Sequence, residues 1–119
     1  IFDVRFVPNP YWVPDLRNTN GLDAKCSDYV FEAPIASYFV KTVCEMLVRL
    51  IPHYSSEGKS RLTIGIGCSG GQHRSVAITE RLAKELREAG VNCQARHREI
   101  AAGNVSVEEH DLEEECVAP

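Results

Sequence analysis

The sequence has no apolar run long enough to cross a membrane. Its longest apolar-rich stretch, residues 35–51, is broken by Lys41, Glu45 and Arg49, and a spanning helix needs about 20 predominantly apolar residues. Cysteine pairs at Cys-x-x-Cys spacing are also missing. The 5 cysteines, Cys26, Cys44, Cys68, Cys93 and Cys116, are odd in number and irregularly spaced. That excludes a disulfide scaffold and points to reduced thiols in a cytoplasmic protein. The 4 histidines, His53, His73, His97 and His110, lack the close pairing of a zinc site, so no metal is assigned. Positive charge is not in excess either. Lys and Arg number 13 against 17 Asp and Glu, a net charge of -4, which argues against a broadly basic nucleic-acid binder. The first residue is Ile1 rather than methionine and a strand pattern starts at once, so a piece of a longer protein is expected, with no signal peptide in view.

What is present fits one soluble domain. The chain has 119 residues, 44% apolar and 25% charged, enough for a real core and too few for two. Residues 1–7 alternate as a strand and Pro8 stops it, so Asn9 and Pro10 fall at the strand's carboxyl end, where open α/β sheets place ligands. The loop that follows carries Tyr11 and Trp12, expected to fold onto the core ahead of meeting a partner. Pro34 suits the first position of a helix whose apolar face is read as Ile35, Phe39, Val43, Met46, Leu47 and Leu50. Residues 61–66 are a second strand, 73–89 a second helix stopped by Gly90, and 91–96 a third strand running into Arg96, His97 and Arg98. The order β, α, β, α, β predicts an α/β fold with a small, mainly parallel sheet and flanking helices. Residues 1–102 form the domain. Residues 103–119, rich in Glu and Asp, are expected to be a loosely ordered acidic tail, or a short helix capped by Ser106.

Residues 63–77, TIGIGCSGGQHRSVA, carry the chemistry. Thr63, Ile64 and Ile66 favour a strand, Gly67, Gly70 and Gly71 let backbone approach a ligand, and a helix starts near Gln72 or His73. Free amides at that helix start and its dipole attract an anion, and Arg74 adds a forked cation suited to phosphate oxygens. Glycines serving only a tight packed turn are the competing reading. Cys68, Gly71, Arg74 and Ser75 also match Cys-x-x-Gly-x-x-Arg-Ser, so the loop resembles that of cysteine-dependent phosphatases, in which a thiolate attacks phosphorus. The resemblance is incomplete. Gly67 stands where the tyrosine phosphatases have histidine, and none of Asp3, Asp15, Asp23 and Asp28 is marked as the general acid.

A second resemblance covers most of the chain. Residues 3–12 (DVRFVPNPYW), 19–23 (TNGLD), 58–60 (GKS), 62–76 (LTIGIGCSGGQHRSV) and 96–98 (RHR) are similar to the C-terminal domain of the RapZ family and its YvcJ-type relatives. That resemblance implies a two-domain protein whose other half is a kinase-like nucleotide-binding domain using ATP or GTP, with no cofactor in this domain. It implies a phosphofructokinase-like subdomain that binds a phosphorylated metabolite, glucosamine 6-phosphate in enterobacterial members, without being an enzyme itself. A homodimer or higher oligomer and an adapter role toward small RNAs and an RNase are implied as well. Carried onto this chain, the ligand site comprises Ser60, Cys68, Ser69, Gly70, Gly71, Gln72, His73, Arg74 and Ser75, with Asn9 and Tyr11 across the pocket. Arg96, His97 and Arg98 either extend that anion site or contact RNA. The family's enterobacterial members end in a basic tail, whereas this chain has Glu108, Glu109, Asp111, Glu113, Glu114 and Glu115, so RNA binding is expected to be weak.

Overall fold

Two helices crossing a small β layer hold the core of the computed structural model, which describes residues 1–100 and 115–116. Helix α1 is Ala24–Val30, α2 is Pro34–Ser56 and α3 is Arg74–Glu88. The strands are short: β1 Phe2–Asp3, β2 Leu62–Thr63, β3 Ile66–Gly67, β4 Cys93–Gln94 and β5 Glu115–Cys116. A 3₁₀ turn, Pro10–Trp12, follows β1.

β1 is shorter than the alternation of residues 1–7 suggests because its own side chain turns the chain away. Asp3 Oδ1 accepts the backbone N–H of Arg5 at 2.9 Å, a local bond that competes with a longer ladder. Before that bend β1 pairs in parallel with β3, Phe2 opposite Ile66. The expected strand over 61–66 divides at Ile64 and Gly65, so that β2 and β3 belong to different sheets. The mainly parallel sheet is thus confined to β1 and β3. The other sheet runs β2-β5-β4 with both pairings antiparallel, because Glu115–Cys116, in a stretch with no strand pattern, sits between the other two. The fold remains a small α/β arrangement, with three α-helices among the described residues. The other expectations for residues 103–119 lie outside the described residues.

α2 starts with Pro34 at its first turn and continues through Pro52. Its buried face is Ala36, Val40, Val43, Cys44, Leu47 and Ile51, which is rotated from the face expected. Ile35, Met46 and Leu50 are exposed. The helix is apolar on two sides, and the smaller residues Ala36, Val40 and Cys44 allow a closer approach to the core, joined there by Ile78, Leu82 and Leu86 of α3. α3 ends as the sequence predicts: Gly90 takes φ +91° and the Val91 N–H returns to the Leu86 carbonyl at 2.9 Å. The core assignment for the aromatic loop fails, since Trp12 is 71% and Tyr11 46% exposed. Pro10 fills the buried place instead. α1, with Cys26 and Val30 buried, has only seven residues, too few for a helical period to show in the sequence.

Candidate functional site

β3 delivers the chain into a glycine loop that ends at α3, and a cleft of about 810 Å³ opens beside it. Gly70 and Gly71 turn the loop in the left-handed region, with φ of +80° and +67°, where a side chain would be strained. Cys68, Gly70, Gly71 and Ser75 line the cleft from the loop side, and Arg98 with Glu99 closes it from the segment after β4. Ile1, Thr63, Gly65 and Ile66 complete the wall. The N-cap residue His73 offers α3 no side-chain cap and the first turn holds no acidic residue, so the positive end of the helix dipole faces the loop.

Cys68 is tied into that helix start. Its Sγ accepts the N–H of Ser75 at 3.3 Å and lies 3.3 Å from Ser75 Oγ. It is half-buried, whereas Cys26, Cys44 and Cys93 are buried. Burial pushes the thiols of Cys26 and Cys44 above their usual range.

Arg74 is buried, and its Nη1 donates to the backbone carbonyls of Arg5 at 3.0 Å and Val7 at 3.5 Å. It does not line the cleft. Asp3 lies within its electrostatic reach, but the main influence on that carboxyl is the Arg5 side chain, which hydrogen-bonds it and holds it down at about 2. Beside Arg74, His73 Nε2 lies 3.1 Å from the carbonyl of Arg17, and Gln72 accepts the N–H of Gly21 at 2.8 Å through its backbone. A Cβ on Gly21 would stand 2.6 Å from His73 O and from Val76 Cβ. Glycine there lets residues 17–21 lie directly on the first turn of α3, which is the physical use of the TNGLD segment.

The remaining sequence-derived positions spread out. Asn9 caps the 3₁₀ turn, its Oδ1 accepting the Tyr11 N–H at 3.1 Å. Tyr11 stacks edge-on with Trp12, ring centroids 5.1 Å apart, beneath the guanidinium of Arg17 at 4.9 Å. Neither residue lines the cleft, nor do Ser60, Ser69 and Gln72. Arg96, His97 and Arg98 part company: Arg98 lines the cleft, while His97 Nε2 is 2.6 Å from Glu80 Oε2 on α3. Glu99 is a cleft residue that no motif singles out. A Cβ on Gly71 would meet its Cγ at 2.8 Å, so its side chain lies over the glycine loop.

Comparison with known proteins places the chain among a group of shared ancestry. The family model described as RapZ C-terminal domain matches residues 1–101. A nucleotide-binding protein of Koribacter versatilis is 50% identical over 99 residues, 83% of this chain and 32% of that protein. A nucleotide-binding protein of Shewanella halifaxensis is 48% identical over 100 residues, 84% of this chain and 35% of its own length. One from Ruegeria pomeroyi is 49% identical over 100 residues, again 84% and 35%. The chain therefore spans about a third of the length of these curated relatives.

Proposed function

Because the chain belongs to the RapZ C-terminal domain family, we propose that it is a regulatory domain that binds a phosphorylated metabolite, an amino-sugar phosphate such as glucosamine 6-phosphate or a nucleotide, in the cleft beside the glycine loop. The observation that carries this reading is the start of α3, which has no cap from its own N-cap residue, behind Gly70 and Gly71, both left-handed, with Arg98 beside Glu99 across the opening. Such a helix start attracts an anion through backbone groups, and a guanidinium opposite supplies the charge-assisted contact. Arg74 supports the loop from behind by anchoring α3 to the bend after β1, and Ser75 and Cys68 keep the loop closed on itself. Other family features belong to the proposal too: a nucleotide site for ATP or GTP in another part of the whole protein, a cytoplasmic location, assembly into a homodimer or larger oligomer, and a link to small-RNA and RNase adapter function in which this domain's own RNA affinity is weak. Among the described residues no helix is long and apolar enough to cross a membrane.

Calorimetry tests the reading directly. Glucosamine 6-phosphate or a nucleotide should bind saturably, unphosphorylated glucosamine should not, and Gly71→Ala should weaken binding at least about tenfold by straining the loop and pressing on Glu99. Equal affinity for the sugar with and without phosphate would refute it. The thiol keeps one rival in view, because Cys68 lines the cleft and its Sγ accepts the Ser75 N–H at the helix start, the place a phosphatase nucleophile would occupy. That rival, a cysteine phosphatase, requires Cys68-dependent hydrolysis of an aryl phosphate. The binding reading expects no turnover, and Cys68→Ser should leave ligand affinity within about threefold of wild type.

A further inference from the structure

α3 carries a second concentration of positive charge, away from the cleft. Arg81, Lys84 and Arg87 lie on successive turns and, with Ser27 of α1, Ala77 and Glu80, line a recess of about 300 Å³ between α1 and α3. The recess shares no lining residue with the cleft. On a solvated helix face such cations pair with carboxylates at the i, i+4 spacing or swing freely. None of the three is in an ion pair among the described residues, and two are held by partners that leave their charge unspent. The Arg81 guanidinium lies 3.9 Å over the ring of Phe31, which fixes its plane while its N–H edge stays available. Arg87 donates Nε to the Cys93 carbonyl at 3.0 Å, leaving the two terminal nitrogens of its fork. The one acid on the rim, Glu80, is engaged by His97 at 2.6 Å.

From two pre-oriented guanidiniums, a flexible ammonium and a hydroxyl around one recess, we propose that this face is a second anion site that takes a diphosphate group. Fixed guanidiniums lose little rotamer freedom on binding, and each presents paired donors to phosphate oxygens. With the Glu80 carboxylate also on the rim, charge alone does not choose between one phosphate and two; the spacing does, because Arg81 and Arg87 stand six residues, about 9 Å, apart along α3, which suits two linked phosphoryl groups better than one. The group can be free pyrophosphate or the diphosphate end of a larger molecule, since both show the recess the same oxygens.

The test is a titration of the 119-residue chain with pyrophosphate at 150 mM salt, read by the Nε–H signals of Arg81 and Arg87 and, separately, by the amides of residues 70–75. Saturable shifts at Arg81 and Arg87 are expected, with inorganic phosphate at least about tenfold weaker. Lys84→Glu, an exposed position, should weaken pyrophosphate at the recess by about tenfold or more without moving the affinity of the cleft for its phosphorylated ligand. Shifts that grow linearly with ionic strength, or saturable binding that Lys84→Glu leaves unchanged, overturn the proposal. So does a structured RNA that moves these signals when pyrophosphate does not. Because cleft and recess are read at different residues, failure of one is not failure of the other.

Discussion

Arg74, on the first turn of α3, donates a hydrogen bond of 3.0 Å to the backbone carbonyl of Arg5, in the bend that follows β1. The bond ties the first turn of α3 to the bend after β1, and it is made by a side chain whose sequence context points toward phosphate.

Loss of that bond should cost stability before it costs affinity. Arg74→Ala leaves the Arg5 and Val7 carbonyls without their charged donor, and such bonds are worth about 1.5–3 kcal/mol. Urea unfolding should therefore show a drop of that order, and calorimetry with the best phosphosugar a further loss of about tenfold as the loop loosens. Arg74→Lys should recover only part, because an ammonium on a flexible stem does not hold its donors in the fixed planar geometry with which Nη1 meets both carbonyls. Wild-type stability in Arg74→Ala would contradict the anchoring role.

Gly21 makes a sharper case. A Cβ there stands 2.6 Å from His73 O and Val76 Cβ, and both belong to a helix start that cannot retreat without losing its contacts to residues 17–21. Gly21→Ala should destabilise the domain by about 1–3 kcal/mol, the usual cost of overpacking. The same variant should alter the His73 ring signals, since His73 Nε2 lies against Arg17 O. A neutral effect on unfolding would mean that the segment shifts freely.

These two residues show what the sequence could and could not disclose. The strand, glycine loop and helix of residues 63–88 are legible because strand formers, glycines and a helical period follow one another, and Gly90 marks the stop. The direction of the Arg74 side chain is not legible, because a motif fixes spacing and not the rotamer, and the carbonyls it meets lie 69 and 67 positions away. Arg98 lines the cleft, while neighbouring His97 turns to Glu80. Their separation follows from tertiary packing after β4. Glu99 and the rotated face of α2 are hidden for the same reason: several apolar stripes or side-chain directions suit the sequence, and only the packed partner selects one.

Acid titration should single out Asp3. Its hydrogen bond with the Arg5 side chain lowers its carboxyl from 3.8 to about 2. A depressed folded value means that the pairing contributes stability above the unfolded value, and that this contribution fades as pH falls from about 3.8 through about 2. Both side chains are solvent-exposed, so the effect on global unfolding should be small. The Asp3 carboxyl carbon, followed by NMR, should titrate near 2 in wild type and move up toward ordinary aspartate in Arg5→Ala. An unmoved midpoint would show that Arg5 is not the cause.

Trp12, 71% exposed beside Tyr11, is the aromatic surface best suited to a contact between copies, since indole and phenol rings combine large area with few rotamers. The proposed oligomer should show a dimer or larger mass by sedimentation at micromolar concentration. Trp12→Ala should shift it toward monomer by about tenfold or more in dissociation constant. A monomeric wild type, or an oligomer indifferent to Trp12, would remove this assignment.

RNA is where the proposed adapter role and local charge oppose each other. Of the Arg-His-Arg segment, His97 is engaged by Glu80 and Arg98 faces the cleft, so the three do not present one continuous strip to a phosphate backbone. The chain as a whole has a net charge of -4, and Glu108, Glu109, Asp111, Glu113, Glu114 and Glu115 follow that segment closely. Association with RNA draws its free energy from counterions released by protein cations, and carboxylates nearby reduce that release. The 119-residue chain should therefore bind a structured RNA no better than about 10–100 µM at physiological salt, the non-specific range, with a steep decline as salt rises. Neutralising the acidic residues 108–115 to Gln and Asn should tighten binding if they screen the cations. Submicromolar affinity of the unaltered chain in 150 mM salt, by filter binding or anisotropy, would overturn this and make RNA the domain's principal partner.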